Sequence, residues 1–275
     1  MPVCARGTGR LCDGAMTAKT ELTCPDGERL AYAKRDGRGP GVVWLGGFKS
    51  DMAGTKAQAL DAWARRRGQA FVRFDYFGHG QSSGDFRAGT VTRWRDDALR
   101  VLDGLTDGPQ ILVGSSMGAW LALLATLARP DRVLGLLLLA PATDFTEALL
   151  WKSYPENVKR QIVETGEYLW PSQYDAEPYP VTRTLIEDGR KHLLLGGPIG
   201  IGCPVRIVQG MADPDVPWPH ALRLVEALGP ATQIALLKDG DHRLSRPHEL
   251  AVVLQTLDAM LPDGKKNIFR RRGSC

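Results

Sequence analysis

Residues 110–122, QILVGSSMGAWLA, place two serines side by side where a run of β-formers gives way to an apolar, alanine-rich run. Gly114-Ser115-Ser116-Met117-Gly118 has the pattern G-x-S-x-G. In such a turn the chain swings sharply from strand to helix, and the central residue is held in a strained conformation that exposes its hydroxyl. Glycines flank it because side chains there would collide with neighbouring backbone. Ser116 holds the central position, whereas Ser115 falls at the strand end without glycines in register. The chemistry this arrangement offers is nucleophilic attack by Ser116.

A serine hydroxyl is a weak nucleophile at neutral pH. It needs a base within hydrogen-bond reach and a carboxylate to orient that base. Of the five histidines, His79 reads as a turn residue in FGHGQSSG, His192 lies in a long insertion, and His220 and His248 fall in helical stretches. His242, in LLKDGDHRLS, directly follows the last strand-like run and is the expected base. Asp213 is the first carboxylate after PVRIVQG and the expected acid, with Asp215 as its rival and Asp144 as a lesser one. Asp239 and Asp241 stand too close in sequence to orient His242 from behind and are expected to shape its loop. Acyl transfer also needs N–H donors for an oxyanion. One expected donor is the Met117 N–H, at the start of the following helix, where amides have no intrahelical acceptor. The other is the Phe48 N–H, beyond Gly46 and Gly47.

The elements that must bring these groups together alternate along the chain. An opening hairpin is expected at about 20–24 and 28–34, around a PDG turn. Apolar runs at 42–47, 70–76, 110–115, 133–140, 204–210 and 233–238 are separated by helical patterns near 53–67, 91–105, 117–129, 217–228 and 247–261. Short runs buried on both faces between helices imply a parallel sheet with helices on both sides, here six parallel strands plus the antiparallel start. Parallel-sheet sites form at the carboxyl ends of strands, where Ser116, Asp213 and His242 all fall. Residues 143–202 break the rhythm with Phe145, Trp151, Tyr154, Tyr168, Trp170, Tyr174 and Tyr179, several prolines and helical pieces. This stretch reads as a small helical lid, its aromatics partly stapling it to the body and partly lining a pocket.

Composition sets the bounds. The chain has 275 residues, 43% hydrophobic and 24% charged, which is ordinary globular composition for one domain with an insertion. The expected organisation is a leader at 1–19, a single domain at 20–262 and a basic tail at 263–275. Net charge is only +4, part of it in the tail KKNIFRRRGSC, so nucleic acid and anionic membranes are not expected partners. The five cysteines are scattered without a CxxC pair or metal-ligand spacing, which implies a reducing compartment, no disulfide framework and no metal. The longest apolar run, VLGLLLLAPA, falls far short of the roughly twenty residues that span a bilayer. The first sixteen residues lack the apolar core of a secretory signal. A monomer is favoured.

The motifs FDYFGHGQSSG, GSSMG, QGMADPDVPW and DHR, with GTKA (54–57), WRDD (94–97), DGPQILVGSSMG (107–118) and CPVRIVQGMADPDVPW (203–218), keep their spacing over residues 20–262. Together they resemble the α/β-hydrolase superfamily, and within it the branch of the mitochondrial palmitoyl-protein thioesterase, or mycophenolic acid acyl-glucuronide esterase, and its bacterial relatives. The resemblance implies an eight-stranded, mostly parallel sheet with the triad Ser116, Asp213 and His242. It also implies hydrolysis of S-acylated protein cysteines or acyl glucuronides without a cofactor, and it points to the mitochondrial matrix, whereas the leader and composition fit a bacterial cytoplasm better, which is the expected setting. Many members carry His-Gly where this chain has Gly46-Gly47, so the oxyanion loop is assigned by position. The alternatives are a small-ester carboxylesterase and a binding protein that kept the architecture and lost the chemistry.

Overall fold

A single eight-stranded sheet organises the computed structural model, which describes residues 20–171 and 177–261. The expected leader and tail, and Tyr174 of the insertion, lie outside the described residues. The opening hairpin forms from β1 (Thr20–Thr23) and β2 (Arg29–Arg35). After it come β3 (Arg38–Leu45), β4 (Gln69–Phe74), β5 (Gln110–Ser115) and β6 (Val133–Leu139). A separate hairpin, β7 (Glu167–Trp170) and β8 (Tyr179–Thr182), precedes the last two strands of the main sheet, β9 (Val205–Gly210) and β10 (Thr232–Leu237). The order across the main sheet is β1-β2-β4-β3-β5-β6-β9-β10. β2 is antiparallel to both neighbours, and every other pairing is parallel.

Alternation of side chains along each strand builds two cores. Val42 and Trp44 of β3 join Ile111, Val113, Leu137 and Leu139 on one face, beneath α1 (Thr55–Arg67) and α7 (Pro247–Met260). Val43 and Leu45 join Leu112, Leu136 and Leu138 on the other, beneath α2 (Val91–Leu105), α3 (Met117–Ala128) and α6 (Trp218–Ala227). On α2 the buried residues Val91, Trp94, Ala98, Val101 and Leu102 make a helical stripe, which seats one side on the core. α3 is different: every residue from Met117 to Thr126 is buried, which suits a helix apolar on all sides. β3 opens four residues before the expected start, because Arg38 pairs with Gln69 across an irregularity that ends at Val42.

The insertion departs from the wholly helical expectation. It contains one π-helical turn (Thr146–Trp151), α4 (Glu156–Thr165), the β7–β8 hairpin and α5 (Arg183–Gly189). α4 stops at Gly166, whose φ of 89° reverses the chain. Tyr168, Trp170, Tyr179 and Val181 are β-formers, and Pro180 is tolerated in a two-stranded ribbon where one flank needs no donor. Both ends of the insertion are tied down. The buried Asp144 carboxylate accepts the Leu194 and Leu195 N–H groups, each at 2.9 Å. Asp188 accepts the Thr92 N–H at 2.8 Å and its hydroxyl at 2.9 Å, at the start of α2, where a carboxylate is favoured. No helix among the described residues is long and apolar enough to cross a membrane.

Candidate active site

From Gln110 to Thr126 every residue is buried except Ser116. That one gap follows from its backbone. Ser116 has φ 54° and ψ −120°, a conformation that costs of order 1–3 kcal/mol for a residue with a side chain. It is held by the Ser116 N–H to the Leu139 carbonyl (2.9 Å) and the Ala142 N–H to the Ser116 carbonyl (3.2 Å). The glycines on either side are sterically required. A Cβ on Gly118 would run into the Leu45 and Gly46 carbonyls, and one on Gly114 would sit 2.7 Å from the Ala119 backbone.

His242 lies in the loop between β10 and α7, as its place after the last strand implies. Its Nε2 is 3.1 Å from Ser116 Oγ and its Nδ1 is 2.8 Å from Asp213 Oδ2. The Asp213 side chain is fully buried, while that of His242 is 16% exposed, so the imidazole forms the boundary between protein and solvent. Asp213 is held by further donors: the Asp215 N–H (2.9 Å) and Val216 N–H (2.8 Å) on Oδ1, and Gln209 Nε2 (3.2 Å) on Oδ2. A carboxylate so surrounded cannot rotate away from the imidazole.

The rivals are accounted for by position. Asp215 contributes a backbone donor to Asp213, and Asp144 is occupied with Leu194 and Leu195. Asp241 accepts the Leu244 N–H at 3.0 Å and Asp239 pairs with Arg246 at 3.1 Å, so both shape the histidine loop as expected. His192 meets the Thr92 hydroxyl, His220 the Thr143 carbonyl, and His248 faces Asp239. Three potential ligand atoms of Asp213, Asp215 and His242 lie within 4.8 Å of one another. Both imidazole nitrogens nevertheless face protein partners, so the arrangement suits proton transfer better than cation binding.

The loop after β3 lies over the serine. A Cβ on Gly47 would stand 3.3 Å from Ser116 Cβ, which puts the residue before Phe48 against Ser116. Met117 opens α3, so its N–H belongs to the first turn, where amides lack intrahelical acceptors. The Phe48 ring contacts Phe86 and Trp94 of the body and Phe145 and Tyr179 of the insertion, with centroids 5.0–6.1 Å apart. An aromatic wall therefore runs from Phe48 into the insertion.

Three residues matter more here than their sequence context indicates. Gln209 is fully buried at the end of β9 and donates to both Asp213 and the Val216 carbonyl (3.0 Å); a polar residue inside an apolar strand run is the only trace it leaves in sequence. The Lys56 ammonium donates to the Arg243 carbonyl, next to His242, and burial lowers its pKa to about 8. His79 is more than a turn residue. It is buried, bonded at both nitrogens, and pushed down to about 4 by burial.

Known proteins share this plan. The serine aminopeptidase (S33) family profile matches residues 42–185. The rat mitochondrial palmitoyl-protein thioesterase ABHD10 is 37% identical over 247 residues, 89% of this chain and 83% of the rat protein. The crystal structure of a putative hydrolase from Agrobacterium vitis superposes with a TM-score of 0.86 at 42% identity, covering 90% of this chain and all of that one. Mouse α/β hydrolase domain-containing protein 10 superposes with a TM-score of 0.83 at 36% identity, covering 89% and 98%. The chain belongs to this α/β-hydrolase family and is an ester or thioester hydrolase.

Proposed function

We propose that Ser116 is the nucleophile, His242 the general base and acid, Asp213 its orienting carboxylate, and the Met117 and Phe48 N–H groups the oxyanion donors. The observation that carries this reading is the unbroken hydrogen-bond chain from Asp213 through His242 to Ser116, ending on the one accessible residue of a buried strand–turn–helix. His242 Nε2 takes the hydroxyl proton as Ser116 Oγ bonds to the acyl carbon, and the carbonyl oxygen becomes an anion beside the two N–H groups. Collapse breaks the bond to the leaving thiol, sugar or alcohol, which receives the proton from His242. Water then attacks the acyl-enzyme, with the same imidazole as base. Asp213 stabilises the imidazolium without itself taking the proton.

The substrate class is an acyl thioester or ester with an apolar acyl group: an S-acylated protein, as the name of the ABHD10 relatives indicates, or an acyl glucuronide. The aromatic wall from Phe48 to Tyr179 supports an apolar acyl site. A bacterial cytoplasm is the proposed setting, with the mitochondrial matrix as the alternative that the relatives' name carries; the free Cys24 and Cys203 suit a reducing compartment. The test pairs a fluorophosphonate probe with p-nitrophenyl esters of rising chain length and a palmitoyl thioester peptide. The probe should label wild type and not Ser116→Ala, and kcat/KM should rise with chain length. A maximum at acetate would instead make the protein a small-ester carboxylesterase.

A further inference from the structure

We infer that His79 is a positioning residue for the oxyanion: by accepting the Lys49 N–H, it fixes the loop that carries the Phe48 N–H over Ser116. This rests on the hydrolase reading above and extends it to a residue that touches no reacting atom.

The geometry is specific. The Lys49 N–H donates to His79 Nε2 at 3.2 Å, and a backbone donor there leaves the ring proton on Nδ1, which donates to the Phe77 carbonyl at 3.1 Å. One tautomer is thereby selected, with its lone pair aimed at the loop. The ring is 3% exposed and boxed in by Tyr76, Phe86 and Trp94, with centroids 4.9–5.6 Å away. Burial keeps the imidazole neutral at neutral pH, so the acceptor is always present.

The loop needs such a clamp. Lys49 has φ 59°, a left-handed conformation that a residue with a side chain adopts only when its surroundings impose it. On the other side of Phe48, the Gly47 carbonyl accepts the Ser50 hydroxyl (2.8 Å) and the Ser50 N–H (3.2 Å). Further along, the Met52 N–H donates to Asp75 at 2.6 Å. Asp75 and His79 both lie just after β4, so one loop holds the next against the nucleophile. The Phe48 ring is packed in the aromatic wall, its N–H is one residue from the His79 bond, and little freedom remains to it. An oxyanion donor acts by being in place before charge develops, so a small displacement is costly.

Two variants separate the hydrogen bond from the packing. His79→Phe keeps a ring in the aromatic box and removes the acceptor; His79→Gln restores an acceptor and loses the ring. Melting temperature should favour Phe, and kcat should favour Gln. For His79→Phe, kcat is expected to fall about 10- to 100-fold with KM within about threefold. The inhibition constant of a trifluoromethyl ketone, which forms a tetrahedral adduct on serine, should rise by the same factor. His79→Gln should recover most of both. The inference is overturned if kcat follows melting temperature across the pair, if His79→Phe keeps kcat within twofold, or if only KM moves. Should one variant fail to fold, the other decides: a folded Phe variant with wild-type kcat, or a folded Gln variant as slow as about one hundredth of wild type, refutes it. Wild-type turnover with unaffected variants defeats this inference alone. Wild type that neither turns over esters nor takes the fluorophosphonate label defeats the hydrolase reading and this inference with it.

Discussion

Around Ser116 the chain is fixed by its own backbone: strand ladders, an all-buried helix, glycines with no room for a Cβ, and amides pointed at one carboxylate. The insertion, beyond its own β7–β8 ladder, is fixed largely by side chains. Asp144 and Asp188 tie its ends, and Phe145 and Tyr179 lean on Phe48. The contrast separates two jobs. The triad geometry sits where substitutions are poorly tolerated, and the insertion sits where residues can change without disturbing the main sheet.

If that division is real, changes in the two regions should leave different kinetic signatures. Ser116→Ala should cost about 10⁴-fold or more in kcat on every ester, whatever its acyl length, while the melting temperature barely moves. A variant that still turns over would place the nucleophile elsewhere. Asp213→Asn should come next, slower by about 10³- to 10⁴-fold because the imidazole loses its selected tautomer, again uniformly across substrates. The body should also carry a pH signature through His79. Its folded pKa of about 4 lies below its ordinary value of 6.5, so the unfolded chain binds more protons between those limits. Stability is therefore whole above about pH 6.5 and falls as pH drops toward 4, by about 3 kcal/mol at this site. Urea titrations of wild type and His79→Phe across pH 4–7 should show that slope shrinking in the variant; equal slopes would mean that the imidazole does not carry it. The smallest effect belongs to the insertion. Tyr179→Ala should lower kcat/KM about tenfold for a long acyl ester and less than twofold for acetate, as the proposed acyl site along the aromatic wall requires. An equal loss on both would erase the distinction between the regions.

The same contrast explains what could be read in advance. The sheet and its flanking helices were legible because strands buried on both faces leave continuous apolar runs, and α2 begins and ends at 91 and 105 as its pattern indicates. Ser116 announced itself through two glycines, and His242 and Asp213 through their places just after strands. Gln209, Lys56 and His79 were not legible as parts of the site, because each acts on a partner distant in sequence or hidden by the turn. Lys56 and Arg243 are 187 residues apart, and His79 and Lys49 are 30. The β7–β8 hairpin escaped for another reason: it is short, carries a proline, and sits among helical patterns that dominate any window drawn across it.

Asp144 and the Leu194–Leu195 amides bring the entry and exit of the insertion into direct contact. Some fifty residues thus leave and rejoin the scaffold at nearly one point, and closing so small a gap needs only a short bridge. The segment is a closed excursion from the sheet. Its length between those amides can vary without altering the reach from β6 to β9, whereas Phe145, Leu150, Val181 and Ile186 belong to the core beneath and must keep their packing.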